Sequence, residues 1–236
     1  METSYYLIHR KTPYGHNCWR LIYYSLFRII FLIIIVSSCA YSQNSSSCFV
    51  FNSPNAIFFG VDYSKVKCVN IGPTGFKDLP KIRDLYFNEI NSIFIKEYPD
   101  NKISKFFKKP VEISLETARS RNVTANIQNI IQNDKQTMPN ETIDSILTFY
   151  PTNNTNSELG ILFIAENLVK LKEGKSDESY ATFWVIFFKI SDHNKLLSLH
   201  MTGACGGVGF RNFWWTSARN VLQAINMKKL KQEYCP

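Results

Sequence analysis

Apolar residues fall into separate blocks along this chain, and the spacing inside each block predicts a different element. The run Ala56–Asp62, continuing towards Val69, is rich in β-branched and aromatic residues and reads as a strand, with a short additional strand expected at Phe49–Phe51. Gly72-Pro-Thr-Gly75 breaks the pattern. Asp78 then stands as an N-cap with Pro80 in the first turn of a helix. That helix is expected to bury Ile82, Leu85, Tyr86, Ile90, Ile93 and Phe94 on one face and to end before Pro99.

Val111, Ile113 and Leu115 alternate as in a half-buried strand, whereas residues 120–137 are polar, with Ile127, Ile130 and Ile131 as a weak helical face. Asn140–Tyr150 predicts a helix closed by Pro151. Three strands follow, Gly160–Leu171, Tyr180–Ile190 and Leu196–Met201, joined at Glu173-Gly-Lys175 and Asp192-His-Asn194 into an antiparallel meander. The last helix begins near Arg211 and buries Trp214, Ala218, Val221, Leu222 and Ile225, with one of the adjacent Trp214 and Trp215 left partly exposed. The order β-α-β-α-β-β-β-α defines an α/β fold, a mixed β-sheet with helices packed on it, since crossovers through helices make parallel pairs and hairpins antiparallel ones. One domain is expected over residues 56–236, behind a tether at 41–55.

The remaining apolar block, Ile29 to Val36, has Arg28 before it and small residues after it. Ser38 and Ala40 fit the −3 and −1 places of a signal-peptidase site, making 1–40 a signal peptide and Tyr41 the mature start. Val36-Ser-Ser-Cys39 equally resembles a bacterial lipobox, with Cys39 as the lipidation site. An uncleaved anchor ranks behind both, because the sixteen residues Leu21–Val36 are interrupted by Arg28 and a span needs about 20 apolar residues. The segment before Arg28 is long for a leader, and a start at Leu26 would leave an ordinary one. Each cleaved reading places the protein in the periplasm or at the outer membrane, with secretion or an uncleaved anchor as alternatives, and membrane contact only through a lipid anchor or the leader itself.

Export changes the meaning of Cys48, Cys68, Cys205 and Cys235, which can form disulfides in three pairings between which the sequence does not choose. It also makes the sequons at Asn44, Asn122, Asn140 and Asn153 relevant, although an Asn-rich chain meets N-x-S/T by chance. The net charge of +8 includes a leader at +3, so +5 remains. The basic runs Lys105-Phe-Phe-Lys108-Lys109 and Lys228-Lys229-Leu-Lys231 read as solvated helix faces. Nucleic-acid binding is not indicated, for there is no concentrated basic stripe or recognisable module. No metal or cofactor motif is present.

The compact feature is Gly203-Ala-Cys-Gly206-Gly207-Val-Gly209-Phe210-Arg211-Asn212, between the last strand and the last helix. Gly206, Gly207, Gly209 and Arg211 are the candidate ligand-binding residues, since glycines admit close backbone approach and Arg211 at a helix start would add an anion donor. A tight structural turn is the preferred alternative. Cys205 and His200 are the candidate nucleophile and base, but no orienting group or oxyanion donor is identifiable, and no catalytic residue is assigned. His193 is expected in a solvent-exposed turn. Asp62 and Glu166 fall in apolar strands, where alternation can place both on a wet face.

Met201-Thr202-Gly203, Gly206-Gly207, Gly209-Phe210-Arg211-Asn212 and Trp214, with Gly60-Val-Asp62 and Phe163-Ile-Ala-Glu166, resemble a group of small secreted proteins of uncharacterised function from Gram-negative bacteria. Cys205 departs from the small or basic residue of that group. The strand order also looks like the α/β domains at the N-terminus of the Tol-system propeller protein and in curli-secretion lipoproteins. Those resemblances imply an envelope accessory module that binds a protein or a small polar ligand; a hydrolase or transferase using the Gly203–Gly209 loop is the competing reading.

Overall fold

The computed structural model describes residues 47–70, 76–152, 157–170 and 179–235, all within one compact unit, Ser46–Pro236. The leader, Cys39, the tether up to residue 46, the Gly72–Gly75 break, the Glu173–Lys175 turn and the sequons at Asn44 and Asn153 lie outside the described residues. No described helix is long and apolar enough to cross a membrane.

The sheet is built around β5 (Leu159–Lys170), whose positions are buried throughout except the last. On one side, β1 (Ala56–Asp62) and then β2 (Lys67–Asn70) pair with it end to end, both parallel. The expected single strand 56–69 is thus two strands, with a turn at Ser64-Lys65 between them. Outside these lie two short parallel strands, β3 (Val111–Ile113) on β1 and β4 (Ile131–Gln132) on β2. On the other side β6 (Tyr180–Lys189) and β7 (Lys195–Ala204) complete the antiparallel meander. The mixed α/β class is as the sequence pattern implies.

Both faces of the sheet are apolar, but they are covered unequally. The larger core contains Phe58, Phe163, Phe183 and Phe187 from the strands, and Phe94, Trp214, Trp215 and Val221 pack there from helices. The smaller one joins Ile57, Phe59, Ile164 and Phe188 to Ile143, Ile146 and Leu147 of a single helix, α6 (Asn140–Leu147). Trp214 and Trp215 are both buried, so neither is the exposed aromatic expected of the pair.

Helix starts follow the predicted chemistry at one end and depart from it after one turn. Asp78 Oδ1 accepts the Lys81 amide at 3.1 Å, capping α2 (Leu79–Lys81) with Pro80 in its first turn. A π-turn, Ile82–Tyr86, then leads into α3 (Phe87–Glu97). Its extra residue rotates the buried face: Leu85 is 41% exposed, while Phe87, absent from the predicted face, is fully buried. The polar stretch before residue 123 holds α5 (Glu116–Asn122), and residue 131 starts β4 in place of a helical face. The helices implied by the two basic runs are α4 (Asp100–Phe107) and α8 (Met227–Tyr234), while α7 (Phe210–Ala224) begins within a residue of the expected start.

Residues 47–52 form a helix, α1, where a short strand and a tether were expected. Its Val50 is fully buried, and Cys48 is disulfide-bonded to Cys235 just beyond α8. Lys109, read as part of a solvated face, donates to the carbonyls of Val50 and Ser53, each at 2.6 Å, and so closes the end of α1. Burial lowers this lysine to about 8. Of the described sequons, Asn122 is fully buried, its side chain accepting the Tyr63 amide at 2.7 Å, which precludes glycosylation; Asn140 is exposed at the start of α6.

Candidate binding site

The glycine loop serves first to seat α7. A Cβ on Gly203 would lie 2.0 Å from the Ser217 carbonyl oxygen, so only glycine lets the helix lie this close to β7. Gly207 and Gly209 have φ of +94° and +80°, the left-handed values the turn requires, whereas Gly206 takes no such angle and its amide reaches the Phe213 carbonyl at 3.4 Å. Val208 at the tip is 90% exposed.

Beside this loop lies a cavity of about 590 Å³. Five rings form its apolar wall: Phe76 stacks on Trp214 at 5.6 Å, Tyr86 stacks on Phe210 at 5.1 Å, and Phe213 meets Trp214 edge-on at 5.2 Å. Lys77 and Lys81 supply cationic groups, Lys170 lines the space while engaged elsewhere, and Asp78, the acid among the described lining residues, is occupied in capping α2. Gly209 also lines the space as the N-cap of α7, a helix with no acidic residue in its first turn and no side-chain cap. Of the sequence-derived candidates, Gly209 alone lines this cavity. Arg211 is exposed and turns towards Asn212 Oδ1 at 3.3 Å, with Glu89 Oε2 at 3.9 Å. The π-turn matters here, for it ends at Tyr86 and brings that ring onto Phe210.

The two carboxylates expected on a wet face are both buried and fully engaged. Asp62 Oδ2 accepts from Arg121 Nε at 2.6 Å and from the Tyr150 hydroxyl at 3.0 Å, while Oδ1 accepts the Ser64 amide at 2.8 Å. Arg121 also donates to the Ser64 hydroxyl and lies 4.1 Å from the Phe149 ring centroid. Burial and the Asp62 charge raise the Tyr150 phenol, keeping it a donor.

Glu166, 4% exposed, collects four donors: the Met138 amide at 2.8 Å, Thr182 at 3.0 Å, Trp184 Nε1 at 3.2 Å and His200 Nε2 at 2.6 Å. Burial pushes this carboxyl up, but the Met138 amide, the His200 ring and the Thr182 hydroxyl stabilise the anion, and its pKa ends below the ordinary value. The stabilisation is therefore present above the unfolded glutamate pKa of about 4.3 and is lost as pH falls through the lower folded value. Replacing Glu166 with Gln presents an amide to these donors and is expected to cost about 1–3 kcal/mol at pH 7. Chemical denaturation of both proteins from pH 7 down to 3 should show the gap closing only in the acid range.

His200 therefore has an orienting group that no local spacing reveals, but it does not meet Cys205. The imidazole lies on the α6 side of the sheet against Trp184, whereas Cys205 packs into the opposite core, where burial pushes its thiol up to about 12. The expected nucleophile–base pair is not formed. His193, in the hairpin turn, is half-buried rather than solvent-exposed, and its Nε2 lies 2.9 Å from the Tyr150 carbonyl oxygen. Among the described residues no group of His, Cys, Asp and Glu could hold a metal ion.

The chain matches no protein-family model and no curated protein. Among solved structures it is similar to the PelC dodecamer from Paraburkholderia phytofirmans, at 12% identity over 78% of this chain and 89% of that one, with a TM-score of 0.31. It is also similar to the hypothetical protein CT253 from Chlamydia trachomatis (10% identity, 76% and 94% covered, TM-score 0.33) and to lipoprotein GNA1162 from Neisseria meningitidis (8%, 64% and 83%, TM-score 0.30). Likenesses at this level concern the course of the backbone and carry nothing about the activity of this chain.

Proposed function

We propose that this protein is an exported envelope module that binds without catalysing, and that its site is the aromatic and lysine-lined cavity beside the Gly206–Gly209 loop. The observation that carries the reading is the composition of that cavity among the described residues: stacked rings on one wall, with Lys77 and Lys81 beside them and Asp78 committed to its cap. Such a wall suits an anion carrying an aromatic or apolar part, with lysines as point charges and rings as the packing surface. The engagement of Asp62 and Glu166 favours binding over catalysis, since each carboxylate already holds its donors in place. Export is supported by the leader pattern and by the Cys48–Cys235 disulfide, a bond that persists in oxidising compartments.

Thermal unfolding with inorganic phosphate, benzoate and phenyl phosphate tests the site. Phenyl phosphate is expected to raise the melting temperature most, because it satisfies both walls; a ligand at 100 times its Kd adds about 2.7 kcal/mol. Lys81→Ala and Phe210→Ala should each remove the shift, while Lys105→Ala, on another surface, should keep it. Absence of any shift, or an equal shift in Lys81→Ala, overturns the assignment.

A further inference from the structure

β7 is an edge strand, paired with β6 and with no other described strand. The Cys205 amide donates to the Ser179 carbonyl at 2.9 Å, and in an antiparallel ladder bonded pairs recur at every second residue. Leu199, Met201 and Gly203 therefore direct their backbone groups to β6, while Ser198, His200 and Thr202 direct theirs outward. Among the described residues nothing hydrogen-bonds to those outward groups. The open stretch is closed at both ends: the Ser47 hydroxyl donates to the Leu196 carbonyl at 3.2 Å, and Asn220 Nδ2 donates to the Ala204 carbonyl at 2.9 Å. Among the described residues, what remains open is centred on His200.

Edges are ordinarily protected by lysine, proline or a bulge. From Ser198 to Ala204 this one has neither lysine nor proline, and its register with β6 is regular. Beside it α8 borders a groove of about 370 Å³, in which Leu199, Met201, Leu230 and Tyr234 are partly exposed and Lys229 and Glu233 stand one helical turn apart.

We infer that the β7 edge is a self-association surface whose occupant is β7 of a second copy, antiparallel about a two-fold axis through His200. The outward groups of Ser198, His200 and Thr202 then meet those of Thr202, His200 and Ser198 of the second copy, closing about six backbone hydrogen bonds. The symmetry of the open stretch is what favours an identical strand. Charge agrees with it, since a two-fold that reverses α8 sets Lys229 of each copy against Glu233 of the other. The inference rests on this edge and is independent of the ligand cavity.

The test is the oligomeric state of the exported, disulfide-bonded protein by sedimentation over a range of concentrations. Wild type is expected to dimerise. Thr202→Pro deletes an outward donor without touching the β6 ladder and should give a monomer with unchanged circular dichroism. Lys229→Glu should weaken the dimer about tenfold, and adding Glu233→Lys should restore it, a rescue that also decides the matter if the proline variant misfolds. Register is read by cross-linking in a Cys205→Ser background: His200→Cys should form a disulfide-linked dimer alone, Ser198→Cys only when mixed with Thr202→Cys. A wild type monomeric at every concentration, a dimer indifferent to both changes, or Ser198→Cys linking to itself overturns the proposal.

Discussion

Arg121→Met is expected to destabilise the protein by about 3–5 kcal/mol, because removing one partner of a buried ion pair leaves the other charge uncompensated. Asp62 is fully buried, and its guanidinium partner sits 2.6 Å away. The Ser64 amide and the Tyr150 hydroxyl remain in the variant, which places the loss towards the lower end of that range. Asp62→Leu in the same chain should recover only part of the stability: it removes the orphaned charge, but it leaves the buried Tyr150 hydroxyl and Ser64 amide without an acceptor. Urea denaturation of wild type, single and double variants measures this directly. A single variant within 0.5 kcal/mol of wild type, the range of an ordinary surface change, would show that Arg121 contributes nothing there.

Loss of the Cys48–Cys235 disulfide should cost nearly as much. The cysteines are 187 residues apart, so the cross-link constrains almost the whole described chain when unfolded. Chain entropy alone assigns a loop of this size about 5 kcal/mol, while native disulfides commonly contribute about 2–4. For a domain of this length the melting temperature should fall by roughly 5–15 °C in the Cys48→Ala/Cys235→Ala protein. Dithiothreitol should lower the wild type to the same value and leave the double variant unmoved, because Cys68 and Cys205 carry no disulfide. A reductant shift that persists in the double variant would place the effect elsewhere.

The parts of the fold legible in the amino-acid pattern are those governed by local chemistry. β5, β6 and α7 announce themselves by unbroken apolar runs or helical spacing, and the Asp78 cap by its neighbours. What the pattern hides depends on distant residues. Leu85 belongs to the predicted apolar face, yet one inserted residue in the π-turn turns it outward. The short strand β4 exists because β2 offers it an edge. Asp62 and Arg121 are 59 positions apart, and Glu166 meets His200 across an intervening strand. One signal was available: a carboxylate inside a wholly apolar strand requires partners. The cavity was half legible, through Gly209 and Phe210, while Phe76, Lys77, Lys81 and Tyr86 arrive there from more than 120 positions earlier in the chain.

The disulfide also carries a consequence for biogenesis. Under the proposed export, a chain translocated N-terminus first would deliver Cys48 to the oxidising side long before Cys235, with Cys68 and Cys205 emerging between them. Cys48 must therefore wait unpaired, or pair wrongly with Cys68 and exchange later. Docking of β2 onto β5 buries Cys68 and removes that competitor, but β5 begins only at Leu159. Correct oxidation thus becomes a late event that follows sheet assembly, and maturation of this protein should be slowed where a thiol–disulfide isomerase is absent.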